Sequence, residues 1–252
     1  MATVNELYGL LEKAIPRELS CDWDNDGRMV VPSPEKQVKR LLICLDVTAE
    51  AVDYAADNGF DCIVSHHPLI FHPLSNVDVA DHVSRRVCKL IKNDIAVFSF
   101  HTRLDKVSGG VNDALADALG LKNITDFSDV GRMGEREPIS LDSFCAIAKE
   151  RLSVDRGLVC VDAGRPVSRV ALVGGSGKDY LEEALAEGCD TFVTGEVSFN
   201  REHDAKEMGL NLVCGGHYFT ENLVCERLQM LIENFECGIY TEIMGTNPSI
   251  VK

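Results

Sequence analysis

The sequence predicts an α/β protein of two similar α/β lobes related by an internal duplication, with layered helices around mostly parallel, mixed sheets. Three observations predict it. Short apolar runs alternate with amphipathic stretches in a strand–helix rhythm. That rhythm occurs twice. Both occurrences put chemically capable residues just beyond a strand's carboxyl end, the edge where open α/β sheets bind ligands.

The elements follow in order. RLLICLD (40–46) reads as a buried strand, and AEAVDYAADNG (49–59) as a helix closed by glycine. DCIVS (61–65) is the next strand, DHVSRRVCKLIKND (81–94) the next helix and IAVFSF (95–100) a third strand. The helical VNDALADALGL (111–121) follows, then SLDSFCAIAKERL (140–152) as a capped helix and GLVCVDAG (157–164) as a strand. The pattern then returns. Residues 38–65 align without a gap on 167–194, an offset of 129 (167 − 38), pairing Val38 with Val167, Asp61 with Asp190 and Val64 with Val193. Each half runs on through a helix into a third strand, IAVFSF or LNLVCGG (210–216). There the text reads HTRLD (101–105) and HYFTE (217–221), now 116 apart (217 − 101). A longer connection around FHPLSNVDVAD (71–81) absorbs the difference. The expected lobes are 1–126, with 222–252 packing back on it, and 127–221.

Composition narrows the function. With 252 residues and 45% hydrophobic content the chain can build a substantial core. A formal charge of −15 repels nucleic-acid phosphate, so general nucleic-acid binding is not expected, though a small anion at a local cationic site is compatible. No apolar run nears the roughly eighteen residues of a membrane span. The first twenty residues are amphipathic and carry acids, unlike a signal or transit peptide. Ten cysteines without a CxxC, with Cys44, Cys62, Cys88, Cys160, Cys189 and Cys214 in apolar runs, read as reduced, buried thiols of a cytoplasmic protein.

Four of the seven histidines, His66, His67, His101 and His217, fall at or just past predicted strand ends. Asp105 and Glu221 lie four residues after two of them, the spacing that puts side chains on one helix face. Imidazole with carboxylate is a divalent-metal ligand set. His66, His67, Asp105, His217 and Glu221 give five donors, with His101 as a sixth. That oversupplies one tetrahedral ion; two ions need a bridging carboxylate and water. The set fits Zn, Mn, Fe or Ni equally. Glu196, the counterpart of His67, reads either as an acid behind a ligand or general base, or as a helix cap. His203 lies within a helix with no assigned role. VGGSGKD (173–179) lacks the glycine and hydroxyl of a phosphate loop and reads as a tight turn. CDWDNDGRMV (21–30) imitates a calcium loop without its last Glu and reads as a loop lining a cleft.

DWDNDG, DVTAEAVDYAADNGFDCIVSHHPLIF, HTRLD, TGEVS and GGHYFTE together resemble the Nif-three-like dinuclear metal proteins, often named GTP cyclohydrolase type 2 homologs. The resemblance spans nearly the whole chain and matches the short form, without an inserted domain. It implies a toroidal homohexamer with two divalent ions per subunit. His66 and Asp105 would hold one ion, His67 and His217 the other, and Glu221 would bridge them. It leaves His101 near the site. The chain departs from the family's common WDNVGLQ and HTNLD at Asp26, Arg28, Met29 and Arg103. Arg28 and Arg103 suit phosphate geometrically and are candidate substrate contacts. The expected function is a dinuclear metal-dependent hydrolase of a nucleotide or related phosphorylated small molecule. Glu221, His101 and Glu196 are its candidate catalytic groups. A non-enzymatic metal-binding scaffold, adaptor or metal-handling protein is the competing expectation.

Overall fold

The structure, a computed structural model, describes residues 1–249. In chain order the elements are α1 (Val4–Ala14), a short 3-10 turn (Arg17–Leu19), β1 (Gly27–Val30), β2 (Arg40–Cys44), α2 (Ala49–Asp57), β3 (Cys62–Ser65), α3 (His82–Lys92), β4 (Ala96–Ser99) and α4 (Thr102–Lys106). Then come α5 (Val111–Ala118), β5 (Lys122–Phe127), β6 (Gly131–Ile139), α6 (Leu141–Arg151), β7 (Val159–Val161), β8 (Val167–Ser176), α7 (Leu181–Ala186), β9 (Thr191–Glu196), α8 (Phe199–Met208), β10 (Asn211–Cys214), α9 (His217–Glu221), α10 (Val224–Glu233) and β11 (Tyr240–Ile243).

Two compact units result. The first comprises Met1–Val107 and Val224–Pro248, and the second is built on Ser108–Leu223. The first sheet has the order β1-β4-β3-β2-β11. Its β4-β3-β2-β11 portion is parallel, and β1 is antiparallel at one edge. The second has the order β5-β6-β8-β9-β10-β7, parallel through β8-β9-β10 and antiparallel outside it.

Local chemistry explains the starts of these elements. Thr3 and Glu6 form a reciprocal capping box on α1, and Asp81 caps α3 through the amides of Val83 and Ser84. β3 and all of β2 after Arg40 are buried because helices and neighbouring strands cover a parallel sheet on both faces. In the second unit the two-residue period separates the faces. Val170 and Leu172 pack with Leu115 and Phe144, whereas Ala171 and Val173 pack with Leu181, Phe192 and Leu212. Burying one such leucine contributes about 1.5–3 kcal/mol.

Residues 108–126, expected with the first lobe, sit in the second unit. Leu115, Ala116, Leu119 and Leu121 join the Phe144 core, and β5 pairs with β6. The C-terminal strand β11 pairs in parallel with β2. RMV, expected in a loop, is strand β1, because Gly27 and Arg28 pair with Ser99 and Phe98.

The duplication is visible in the register. Leu41 lies opposite Cys62 in the first unit and Val170 opposite Thr191 in the second, both pairs 129 apart (170 − 41, 191 − 62). Asp61 accepts from the amides of Lys39 and Arg40, and Asp190 from those of Ser168 and Arg169, at the same offset. The later half of the repeat obeys a different number. Phe100 N–H donates to Ser65 O, as Gly215 N–H does to Thr194 O. Asp105 N–H donates to His101 O, as Thr220 N–H does to Gly216 O. The structural offset is therefore 115 (215 − 100), not 116. His101 corresponds to Gly216 and Asp105 to Thr220. The two His-x3-acid strings occupy positions one residue out of step.

Candidate metal centre

In the first unit β3 stops at Ser65, so His66 and His67 lie beyond the strand, where side-chain alternation no longer binds them. Their ring centroids are 4.9 Å apart, and the His101 ring lies 5.2 Å from His66 and 5.8 Å from His67. The three can each offer a ligand atom within 4.8 Å of the others.

Each ring is anchored by the same nitrogen. His66 Nδ1 is 2.9 Å from the Phe100 carbonyl, His67 Nδ1 2.8 Å from Asp46 Oδ1 and His101 Nδ1 2.9 Å from Asp24 Oδ1. A carbonyl or ionised carboxylate only accepts, so each ring proton sits on Nδ1 and the lone pair on Nε2. This is how proteins orient metal-binding imidazoles. Burial alone would raise the Asp24 carboxyl. Hydrogen bonds from His101 and Thr102 outweigh it and hold Asp24 well below the usual carboxylate range.

Asp105 Oδ1 is 3.7 Å from His66 Nε2. The expected same-face pairing of Asp105 with His101 gives way to this one. His101 caps α4 in a non-helical conformation (φ −100°, ψ −112°) and turns its ring to Asp24. Trp23 and Phe71, 64% and 41% exposed, form an aromatic rim with centroids 6.1 Å from His101.

The second unit carries its own set. His217 and Glu221, one turn apart on α9, approach to 3.1 Å between Nε2 and Oε2, while His217 Nδ1 lies 3.2 Å from Glu196 Oε1. Glu196 thus stands behind His217, as Asp24 stands behind His101. Glycines create the space. A Cβ at Gly195 would come within 2.5 Å of the Gly175 carbonyl and 2.8 Å of His217 Cα, and one at Gly175, whose φ is +63°, would overlap the Glu221 carboxylate. The second unit therefore tolerates no side chain at its equivalent of His66. VGGSGKD, expected as a turn, instead ends β8 and makes room for Glu221.

Other candidates lie elsewhere. Arg103, expected to meet substrate, is fully buried. Its Nε donates to Asp26 Oδ2 at 3.0 Å and its Nη1 to Glu12 Oε1 and the Ile15 carbonyl, both at 3.0 Å, with Phe100 beneath at 4.5 Å. It is structural because its Nε and Nη1 are taken up by Asp26, Glu12 and the Ile15 carbonyl and no part of its side chain reaches solvent. Asp26 also accepts from Arg17 and from the His101 amide. Arg28 is exposed and stacks on Tyr8. His203 is exposed on α8 against Phe199. The sequence reading missed Asp24 and Asp46 as anchors. Their signal was an acid at a strand end (CLD) and an acid-rich turn beside the sole tryptophan.

A family profile described as Duf34/NIF3 (NGG1p interacting factor 3) matches residues 2–248. The chain belongs to this family. Among NIF3 relatives, a Clostridium perfringens protein named GTP cyclohydrolase 1 type 2 homolog is 34% identical, over 86% of each chain. A Helicobacter pylori protein named GTP cyclohydrolase 1 type 2 is 30% identical, over 94% of this chain and 98% of its own. The crystal structure of a Staphylococcus aureus hypothetical protein shares the fold with a TM-score of 0.89 and 28% identity, covering 99% of this chain and 98% of that one. The mixed α/β fold is thus a NIF3 fold. The histidine and glutamate groups of this NIF3 chain are of a kind that can bind a metal ion. No helix among the described residues is long and apolar enough to cross a membrane.

Proposed function

We propose that the protein is a dinuclear metal-dependent hydrolase of a nucleotide or related phosphorylated small molecule, working in the cytoplasm as a homohexamer. The observation that carries it is the set of three imidazoles in the first unit, each fixed through Nδ1, with Nε2 the ligand atom of His66 and His67 and the proton-accepting atom of His101. The names of the relatives support a GTP cyclohydrolase-like ring opening as the first reaction to test. The ligand assignment rests on the family and on the donor chemistry of each unit taken separately. His66 and Asp105 would hold one ion and His67 and His217 the other, with Glu221 as a further ligand. Divalent ions would polarise a substrate oxygen and acidify water.

The protein's own groups do the rest. Asp24 keeps the His101 ring oriented with its proton on Nδ1, so Nε2 can take a proton from water or return it to a leaving group. Glu196 holds the His217 ring. Trp23 and Phe71 offer faces on which a planar base stacks. Arg28 remains our candidate for a phosphate contact.

The test is turnover of a nucleotide panel, GTP included, by the purified protein loaded in turn with Zn, Mn, Fe and Ni. Hydrolysis that falls at least a hundredfold in His101→Ala, with metal content unchanged, supports the proposal. Absence of turnover with every metal refutes it, and rapid metal exchange with no turnover favours a metal-handling scaffold instead.

A further inference from the structure

One pair of side chains outside the histidine sets has chemistry that the proposed function does not use. Cys145 on α6 and Cys160 on β7 hold their sulfurs 3.2 Å apart. Cys160, expected among the buried thiols, is exposed, and Cys145 is half-buried. Exposure follows from topology. β7 is a three-residue strand at the edge of its sheet, so one side of it has no neighbouring strand. By contrast Cys44, Cys62, Cys189, Cys214 and Cys225 are buried. The pair opens onto a surface hollow of about 320 Å³ that Asp142, Lys149 and Asp162 also line, so a small solute can reach both sulfurs.

We propose that Cys145 and Cys160 are a redox-active dithiol, which a peroxide converts to an intramolecular disulfide. A bond near 2.05 Å requires the sulfurs to approach by about an ångström, within the reach of rotation about the side-chain bonds of α6 and an edge strand. The two thiols are not equivalent. Cys160 is the more exposed of the two, and the hydrogen bond between the sulfurs lowers the Cys160 thiol against the opposing effect of burial and raises that of Cys145. Cys160 is the attacking sulfur and Cys145 the resolving one.

The steps balance. The Cys160 thiolate attacks one peroxide oxygen and the O–O bond breaks. Cys160 becomes a sulfenic acid, and the other oxygen leaves as water or an alcohol after taking a proton. Cys145 then loses its proton and attacks the Cys160 sulfur. The S–S bond forms, the S–O bond breaks and the oxygen departs as water. Two thiols are oxidised by two electrons, and one peroxide is reduced. A dithiol such as dithiothreitol reverses the change by exchange. The cross-link closes the chain between 145 and 160 and ties α6 to β7, whose Val159 pairs with Cys214.

The experiment treats the reduced full-length protein with graded hydrogen peroxide and maps cysteines by mass spectrometry. The expected result is loss of two hydrogens, a Cys145–Cys160 linked peptide and full reversal by dithiothreitol. Oxidation at Cys160 is expected to be roughly tenfold faster than at Cys88 or Cys237, which are solitary and half-buried. C145S should stop at a Cys160 sulfenic acid that dimedone traps, and C160S should leave Cys145 reduced. Both serine variants are near-isosteric, and circular dichroism checks their fold. Three results would overturn the proposal: Cys160 passing to sulfinic acid in the wild type without a link, a link to Cys214 instead, or oxidation of Cys145 that survives in C160S.

Discussion

Asp26 and Arg103, the two positions of the DWDNDG and HTRLD stretches that the resemblance marks as departures, are each other's buried partner. Both side chains are 0% exposed and 3.0 Å apart. Removing one member of such a pair strands a buried charge and typically costs about 3–5 kcal/mol. Here the low end, about 3 kcal/mol, is expected for each single change. In R103M, Asp26 keeps the half-exposed Arg17, and in D26V, Arg103 keeps Glu12 and the Ile15 carbonyl. The double variant D26V/R103M strands neither charge. Its cost should be at most about 3 kcal/mol rather than the sum of about 6, a coupling of at least about 3 kcal/mol. Urea unfolding followed by fluorescence measures it, because the only tryptophan, Trp23, lies in the same loop as Asp26 and so reports on the first unit. Single-variant losses under about 1 kcal/mol, or costs that add within about 0.5 kcal/mol, would refute a tightly coupled buried pair.

Other outcomes follow from the same geometry. Gly195→Ala should lower the urea midpoint and the metal content together, because its Cβ meets the Gly175 carbonyl and His217 Cα; an unchanged midpoint would contradict the close approach. Asp61 is depressed: burial would raise it, but hydrogen bonds from the Lys39 and Arg40 amides and from Lys36 more than offset that. Its contribution is therefore fully present above the unfolded value of about 3.9 and lost as pH falls through the folded one. Asp61→Asn should be destabilising at pH 7 and flatten the acid limb of the stability curve, and an unaltered limb would rule that out. Asp46→Asn should weaken metal retention about 10–100-fold without unfolding the chain, by removing the acid that fixes the ring of the ligand His67, as chelator competition would show.

The repeat was legible in sequence because Asp61 and Asp190 buttress the same strand pair, and the first three strands of each repeat have apolar runs that only a covered sheet accepts. The histidines stood out because each follows such a run. What the sequence concealed was register. His-x3-acid recurs as text 116 residues apart (217 − 101), yet the equivalent strands β4 and β10 lie 115 apart (211 − 96), and only the hydrogen bonds show that His101 matches Gly216. Burial was equally hidden for Arg103. A lone arginine near a site reads as a substrate contact, and its partners Glu12, Ile15 and Asp26 lie 77 to 91 residues away in sequence (103 − 26, 103 − 12). The exposure of Cys160 depended on β7 being an edge strand, which a three-residue apolar run does not reveal.

The central claim is that histidine Nε2 atoms and carboxylates of this chain hold divalent metal for hydrolysis. Elemental analysis of the wild type and of His66→Ala, His67→Ala, His217→Ala and Glu221→Ala, each saturated with metal and desalted, tests it most directly. The account predicts about two ions per wild-type chain, loss of about one in each histidine variant and loss of more in Glu221→Ala. Equal metal content across all five proteins, or none in any, would contradict it.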